Sequence, residues 1–275
     1  MTNYIKFASV SILAAFGLTA CSGGGEGGAA ISQANKTQAP PSSAAISATQ
    51  QLNAPFKAFL ETYVVQDNGI NLVQYGRVSE ADHQILKDYI TTLSSTDTSG
   101  YNVDETFAYW FNLYNAETVN VILDNYPVSS IKKIDFLGPW DTASLTVNGK
   151  AMSLNNIEHD TIRASFDEPR IHFAFNCASI GCPNLKMSPW EAATLDADLT
   201  QAAVDYIASP RGVTVKDGKI TAASIFDWYK QDFGSSQQDT LNYLAKYATG
   251  AKKTALQNAK KINKFKYNWD LNEAK

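Results

Sequence analysis

The stretch Arg170-Ile-His-Phe-Ala-Phe-Asn-Cys-Ala-Ser-Ile-Gly-Cys-Pro183 decides how this chain is read. Ile171, Phe173 and Phe175 alternate with His172, Ala174 and Asn176. Period-two alternation predicts a β-strand over 170–176. The strand runs into a loop of small residues that holds Cys177 and Cys182. A strand that delivers a histidine and a thiol to one loop suits a reactive site, and it suits a disulfide equally well.

Upstream, Asp167-Glu-Pro-Arg170 is a turn into that strand. Before it, Ser153 or Asn155 caps a helix through Ile157, Glu158, His159, Ile162 and Arg163. Glu158 and His159 are adjacent, so on a helix they diverge by about 100°, and one of them faces the core or the site. Residues 105–123 form the most apolar helix of the chain. A helix that is apolar nearly all round is buried, and this one is expected to pack beside the 170–176 strand. On it, Asn112 and Asn115 lie three residues apart, one above the other. A buried amide left unpaired costs roughly 1–3 kcal/mol. These two either bond neighbouring backbone or orient a substrate or a histidine. Downstream, Ser188-Pro-Trp-Glu191 carries the signature of a helix N-terminus, with the helix running to about Ile207.

Further out, helical spacing covers 51–65 and, behind a Ser79–Asp82 cap, the segment holding Ile85, Leu86, Tyr89, Ile90 and Leu93. Between them Asp67-Asn-Gly69 is a break and 71–75 a short extended stretch. Asn148-Gly149 and Lys216-Asp-Gly218 mark hairpins. Two helices are expected near 239–247 and 254–260. The alternating end, Phe265-Lys-Tyr-Asn-Trp-Asp-Leu-Asn272, returns to the core as a final strand. The fold class is α+β: a helix-rich single domain over 51–275 with a small, mostly antiparallel sheet.

Residues 1–20 read as a signal peptide, with Lys6 ahead of an apolar run too short to span a membrane. Leu18-Thr-Ala-Cys21 resembles a lipobox, which makes Cys21 the lipidated N-terminus; the competing reading is an ordinary secretory signal. Ser22 after that cysteine points to the outer membrane, facing the periplasm. Residues 21–50 are rich in Gly, Ser, Ala, Gln and Pro and form a flexible tether. The expected address is therefore the cell envelope, with the membrane contacted through the lipid. Hydrophobic residues are 44% of the chain, enough for a full core, and the net charge of −4 argues against a nucleic-acid partner. Lys252, Lys253, Lys260, Lys261, Lys264 and Lys266 read as a solvated basic face.

With Cys21 assigned to lipid, two cysteines remain, and the loop admits three chemistries. Cys177 is a thiolate nucleophile paired with His172 or His159, with Asn112, Asn115 or an amide of Ala178–Gly181 stabilising an oxyanion. Cys177 and Cys182 form a structural disulfide, as thiols in an oxidising compartment tend to. Or His159, His172, Cys177 and Cys182 bind zinc, although their spacing matches no standard zinc motif. No cofactor or metal is called for. His83 lies on a polar helix face and reads as solvated.

Six ordered motifs resemble the DUF547 family of uncharacterised domains. They are Tyr109-Trp-Phe-Asn-Leu-Tyr-Asn-Ala116, Leu154-Asn-Asn-Ile-Glu-His159 with Arg163, Asp167–Ala174, Asn176–Pro183, Phe226-Asp-Trp-Tyr229 with Asp232-Phe-Gly234, and Tyr267–Asn272. The resemblance implies an exported bacterial protein. It also implies a likeness to papain-like or transglutaminase-like thiol enzymes, in which Cys177, His172 and Glu158 correspond to nucleophile, base and orienting carboxylate. His172 precedes Cys177 here, the reverse of papain, so that likeness requires a permuted topology. Two functions are in view. One is a thiol hydrolase or acyltransferase on peptide, peptidoglycan or protein amides. The other is a non-catalytic envelope scaffold with a structural disulfide.

Overall fold

The computed structural model describes residues 43–136 and 138–275. The expected signal peptide, the expected lipidation site Cys21 and most of the expected tether lie outside the described residues.

Helix α1 runs Ser43–Tyr63, so it begins earlier than the 51–65 expected and covers the last residues assigned to the tether. It passes directly into a hairpin of β1 (Val64–Asp67) and β2 (Ile70–Val73). Asn68 and Gly69 both hold positive φ, 49° and 77°, the geometry of a type I′ turn; the Asn-Gly pair was a hairpin signal and not merely a break. Helix α2 (Glu80–Ser94) is capped by Ser79, whose side chain accepts from the Asp82 amide. Helix α3 (Val103–Asp124) opens with a reciprocal capping box between Asn102 and Glu105. It is buried along most of its length, as its composition requires. Phe56 and Leu60 of α1, Leu86 and Leu93 of α2, and Phe111, Leu113 and Ile122 of α3 meet in one core.

The hairpin of β3 (Leu145–Val147) and β4 (Lys150–Met152) turns at Asn148-Gly149. A π-helix, Asn156–Arg163, follows, with Ser153 and Asn156 bonded reciprocally at its start. After it come α4 (Leu195–Ala208), the hairpin of β5 (Val213–Lys216) and β6 (Lys219–Ala223), and the short α5 (Ile225–Trp228). The described chain continues through α6 (Gln237–Tyr247), α7 (Gly250–Asn258) and β7 (Lys264–Lys266), which pairs parallel to β6. These elements enclose a second core around Phe226, Phe233, Leu241 and Leu244. The fold is α+β, with its strands divided among three small, mostly antiparallel sheets.

Three further expectations change. Residues 170–176 are not a strand. Pro169–Phe173 is a 3-10 helix, opened by Glu168, whose side chain accepts from the Arg170 amide, and by Pro169 at its first position. Period-two alternation signals a strand when one face meets water, but every residue from Ile171 to Asn176 is buried. Ile171, Ala174 and Phe175 join the first core, and Phe173 joins the second. The segment is a seam between two cores, and its polar positions are bonded internally.

The helix expected from Ser188 begins only at Leu195, after a 3-10 turn at Ala192–Thr194. Asn112 explains the delay. Its amide nitrogen donates to the Trp190 carbonyl (2.9 Å) and its oxygen accepts from the Trp190 amide (2.8 Å). That clamp holds Trp190 outside any helix. Lys252, read as part of a solvated face, instead donates from Nζ to the carbonyls of Ile207, Ala208 and Val213, and so caps the C-terminus of α4. Burial lowers its pKa.

Two outcomes follow from this packing. Asn112→Ala leaves both backbone groups of Trp190 unpaired in a buried position, and urea denaturation is expected to show a loss of about 2–4 kcal/mol. Glu117 of α3 is 2% exposed, and burial raises its pKa from 4.5 to about 7 against hydrogen bonds from Ser144 and Asn120. The native protein therefore holds this proton more tightly than the unfolded chain. Its stability is full below about pH 4.5, falls as pH rises to about 7, and is flat above. Glu117→Gln is expected to remove that slope and to gain on the order of 2 kcal/mol at pH 8 in urea melts compared across pH.

Candidate active site

The seam segment presents His172 between the two cores, and a cleft of about 290 Å³ opens in front of it. His172 is 4% exposed, and Tyr229 stacks on its ring at 4.1 Å with an interplanar angle of 15°. Its Nε2 lies 2.6 Å from Oδ2 of Asp232. Asp232 also takes two bonds from Arg163, Nε to Oδ2 at 2.7 Å and Nη2 to Oδ1 at 2.9 Å. Burial opposes the charge of Asp232, and the hydrogen bonds from His172 and Arg163 outweigh it, so its pKa lies well below the usual carboxylate range. An ionised carboxylate only accepts, so the Nε2 of His172 carries the proton. In the neutral ring Nδ1 is then the proton acceptor. That nitrogen lies 3.8 Å from Oε1 of Glu158, which lines the cleft, whereas Asp232 is not part of the lining.

The π-helix supplies Glu158 and Arg163. Glu158 points inward and is 6% exposed, while His159 next to it turns aside, as their angular separation requires. The guanidinium of Arg163 donates to Nδ1 of His159 at 3.1 Å, since it has no lone pair to accept with. The same guanidinium lies 4.9 Å from the centre of the Tyr229 ring. Burial first, and then the charge of Glu158, raises the pKa of the Tyr114 and Tyr229 hydroxyls.

Cys177 and Cys182 are joined by a disulfide, with Cα atoms 6.3 Å apart, and both line the cleft. Cys182 is buried and Cys177 is partly exposed. The hydroxyl of Tyr267 lies 3.0 Å from each sulfur. Burial holds that hydroxyl protonated well beyond its ordinary range. The loop is fastened from both sides. Asn176 accepts from the Ala178 amide and donates to the Pro183 carbonyl. The Ile180 and Gly181 amides donate to the carbonyls of Asp270 and Asn268. From the far side Arg211 donates to the carbonyls of Ile180 and Cys182, and Tyr206 to that of Gly181. Gly181 is required here, because a Cβ would meet the Asn268 backbone at 2.8 Å. Ala178 holds a positive φ of 55°, a left-handed conformation that costs roughly 1–2 kcal/mol for a residue with a Cβ. Strain of this kind concentrates at functional sites.

Of the residues singled out in the sequence, Cys177, His172 and Glu158 meet in the cleft, together with Cys182. His159 sits behind it, bonded to Arg163. Asn112 and Asn115 are not among its lining. Asn115 is committed to the Ala174 carbonyl and the Asn176 amide, just as Asn112 is to Trp190. The amides of Ala178, Ile180 and Gly181 are likewise bonded within the protein. Among the described residues no group of three or more His, Cys, Asp or Glu is arranged to hold a metal ion. His83 faces Asn120 at 2.9 Å and Asp124 at 3.8 Å and is not part of the cleft lining. Asp232 and Tyr267 were missed as site residues. Both lay inside quoted motifs, but nothing in their local spacing ties them to a histidine 60 residues away or a cysteine 90 residues away.

Residues 98–207, from the loop before α3 to the last turn of α4, match the model of a family described as "Protein of unknown function, DUF547". No curated protein and no solved structure matches the chain. Glu158, His172, Cys177 and Cys182 fall inside the matched segment, while Asp232 and Tyr267 lie beyond it. Over residues 98–207 the chain is similar to the DUF547 family.

Proposed function

We propose that this domain is a thiol-dependent hydrolase or acyltransferase acting on amide or ester carbonyls, with Cys177 as nucleophile and the Cys177–Cys182 disulfide as its oxidised resting form. One observation carries the reading. Asp232 fixes the proton of His172 on Nε2, which leaves Nδ1 as a proton acceptor for the cleft that Cys177 also lines. A base held in one tautomer by a third group is the logic of an activated nucleophile. The Leu18-Thr-Ala-Cys21 sequence supports a lipid-anchored position at the cell envelope, where peptide, peptidoglycan and protein amides are the available substrates.

The chemistry begins with reduction. A dithiol attacks the partly exposed Cys177 sulfur, the Cys177–Cys182 bond breaks, and Cys182 leaves as a thiolate that takes up a proton. The second thiol of the reductant then displaces Cys177, and the reductant departs as its own disulfide. In the catalytic step Cys177 gives its proton to Nδ1 of His172 and its sulfur bonds the substrate carbonyl carbon. Glu158 stabilises the imidazolium, and the Tyr267 hydroxyl donates to the oxyanion. The tetrahedral intermediate expels the amine or alcohol, which leaves with the proton from His172. Water or a second nucleophile then releases the acyl group from sulfur, with His172 as base once more.

The scaffold reading keeps one specific support, the disulfide itself, which closes a site of this kind to thiol chemistry. Hydrolysis of p-nitrophenyl acetate, followed before and after addition of dithiothreitol, separates the two. Activity is expected to appear on reduction, to vanish with iodoacetamide and in Cys177→Ala, and to need no reductant in Cys182→Ser. Asp232→Asn is expected to lower the rate at pH 7 by about 10²–10⁴-fold, because the amide no longer selects the Nε2 tautomer. A rate that is unchanged in Cys177→Ala leaves the scaffold reading standing.

A further inference from the structure

The walls of the cleft are aromatic: Trp140, Trp228, Tyr229, Tyr267 and Trp269 all contribute. Trp228 stacks on Trp269 at 5.5 Å, Tyr267 lies 4.6 Å from Trp269, and Trp140 meets the same ring edge-on at 5.6 Å. Two carboxylates belong to the same lining, Glu158 deep inside and Asp141 at the exposed rim. Among the described residues that line the cleft there is no lysine or arginine. A concave surface of ring faces with carboxylates and no fixed positive charge repels anions and favours a cation, which ring faces attract through their quadrupoles. The protein already pairs two of these rings with cations in this way. Lys132 sits 5.0 Å from the centre of the Trp269 ring, and Arg163 covers Tyr229.

We propose that the cleft recognises a cationic amine, so that the substrate presents an ammonium group to the aromatic wall and Glu158 while its carbonyl faces Cys177. This assignment of substrate class rests on the same cleft being the reactive site. Glu158 then has two partners at different moments: the substrate ammonium on binding and the His172 imidazolium during proton transfer. Trp228, a residue 47% exposed although its ring stacks on Trp269, marks the entrance.

Choline and its neutral isostere 3,3-dimethylbutan-1-ol distinguish charge from shape. Each is titrated into the oxidised protein, which has no free thiol, and tryptophan fluorescence is recorded. Saturable binding of choline at least ten-fold tighter than the alcohol is expected. It should weaken at least ten-fold in Glu158→Gln and in Trp228→Ala. Should Glu158→Gln lose its native circular dichroism, Asp141→Asn supplies the charge test at the rim, with a weakening of at least three-fold expected. Equal binding of the two probes, absence of choline binding, or charge variants that bind choline as the parent does would overturn the proposal. Because the titration involves no thiol, choline binding with no reductant-dependent hydrolysis refutes the thiol reading alone, and hydrolysis with no choline preference refutes the ammonium assignment alone.

Discussion

A carboxamide side chain offers both a donor and an acceptor, so it can take the place of a strand neighbour for backbone that has none. This domain depends on that substitution twice on one helix. Asn115 of α3 satisfies the Ala174 carbonyl and the Asn176 amide, and Asn112 satisfies both backbone groups of Trp190. The segments so held flank the cysteine loop on either side. Irregular backbone is rarely buried, because its polar groups would go unpaired. Here it is buried against the most apolar helix of the chain and remains paired. The buried segment that carries the cleft histidine rests on that arrangement.

The electrostatics build outward from the same seam. Asp232 sits between Arg163 and His172 and joins the π-helix to the turn after α5. A π-helix widens the backbone by one residue per turn and is enriched at functional sites. In this chain it sends Glu158 inward while Arg163, one turn later, reaches around Tyr229 to Asp232. The histidine is thereby set between two carboxylates with different tasks. The one at 2.6 Å orients it, and the one at 3.8 Å lies across the cleft side of the ring.

Much of this was legible in the residues. The Asn-Gly and Asp-Gly hairpins, the burial of α3 and the Ser79 cap are local signals, and each appears where its pattern stands. Cys177, His172 and Glu158 were legible as a group because they fall within 20 residues of one another. The strand over 170–176 misled because alternation reports a wet face, and here His172 and Asn176 are buried and bonded. The helix start at Ser188 misled because a clamp from Asn112, 78 residues away, overrides a local cap. Asp232 and Tyr267 belong to the site only through tertiary structure, and no spacing rule reaches that far.

The loop between the two cysteines is stitched to the chain's own tail. Ser179 bridges Leu271, and the amides of Ile180 and Gly181 rest on Asp270 and Asn268. Those partners follow Cys182 by nearly 90 residues. Any process that delivers the chain from its N-terminus therefore exposes both thiols before the groups that hold them in register arrive. At the rate of synthesis, about 5–20 residues per second, the interval is roughly 5–20 s. During it, the encounter of the two sulfurs is governed by closure of a short flexible ring, not by the folded surroundings. The cross-link has the opportunity to form before the cleft exists, and the tail then closes over a loop whose shape the sulfurs have already chosen.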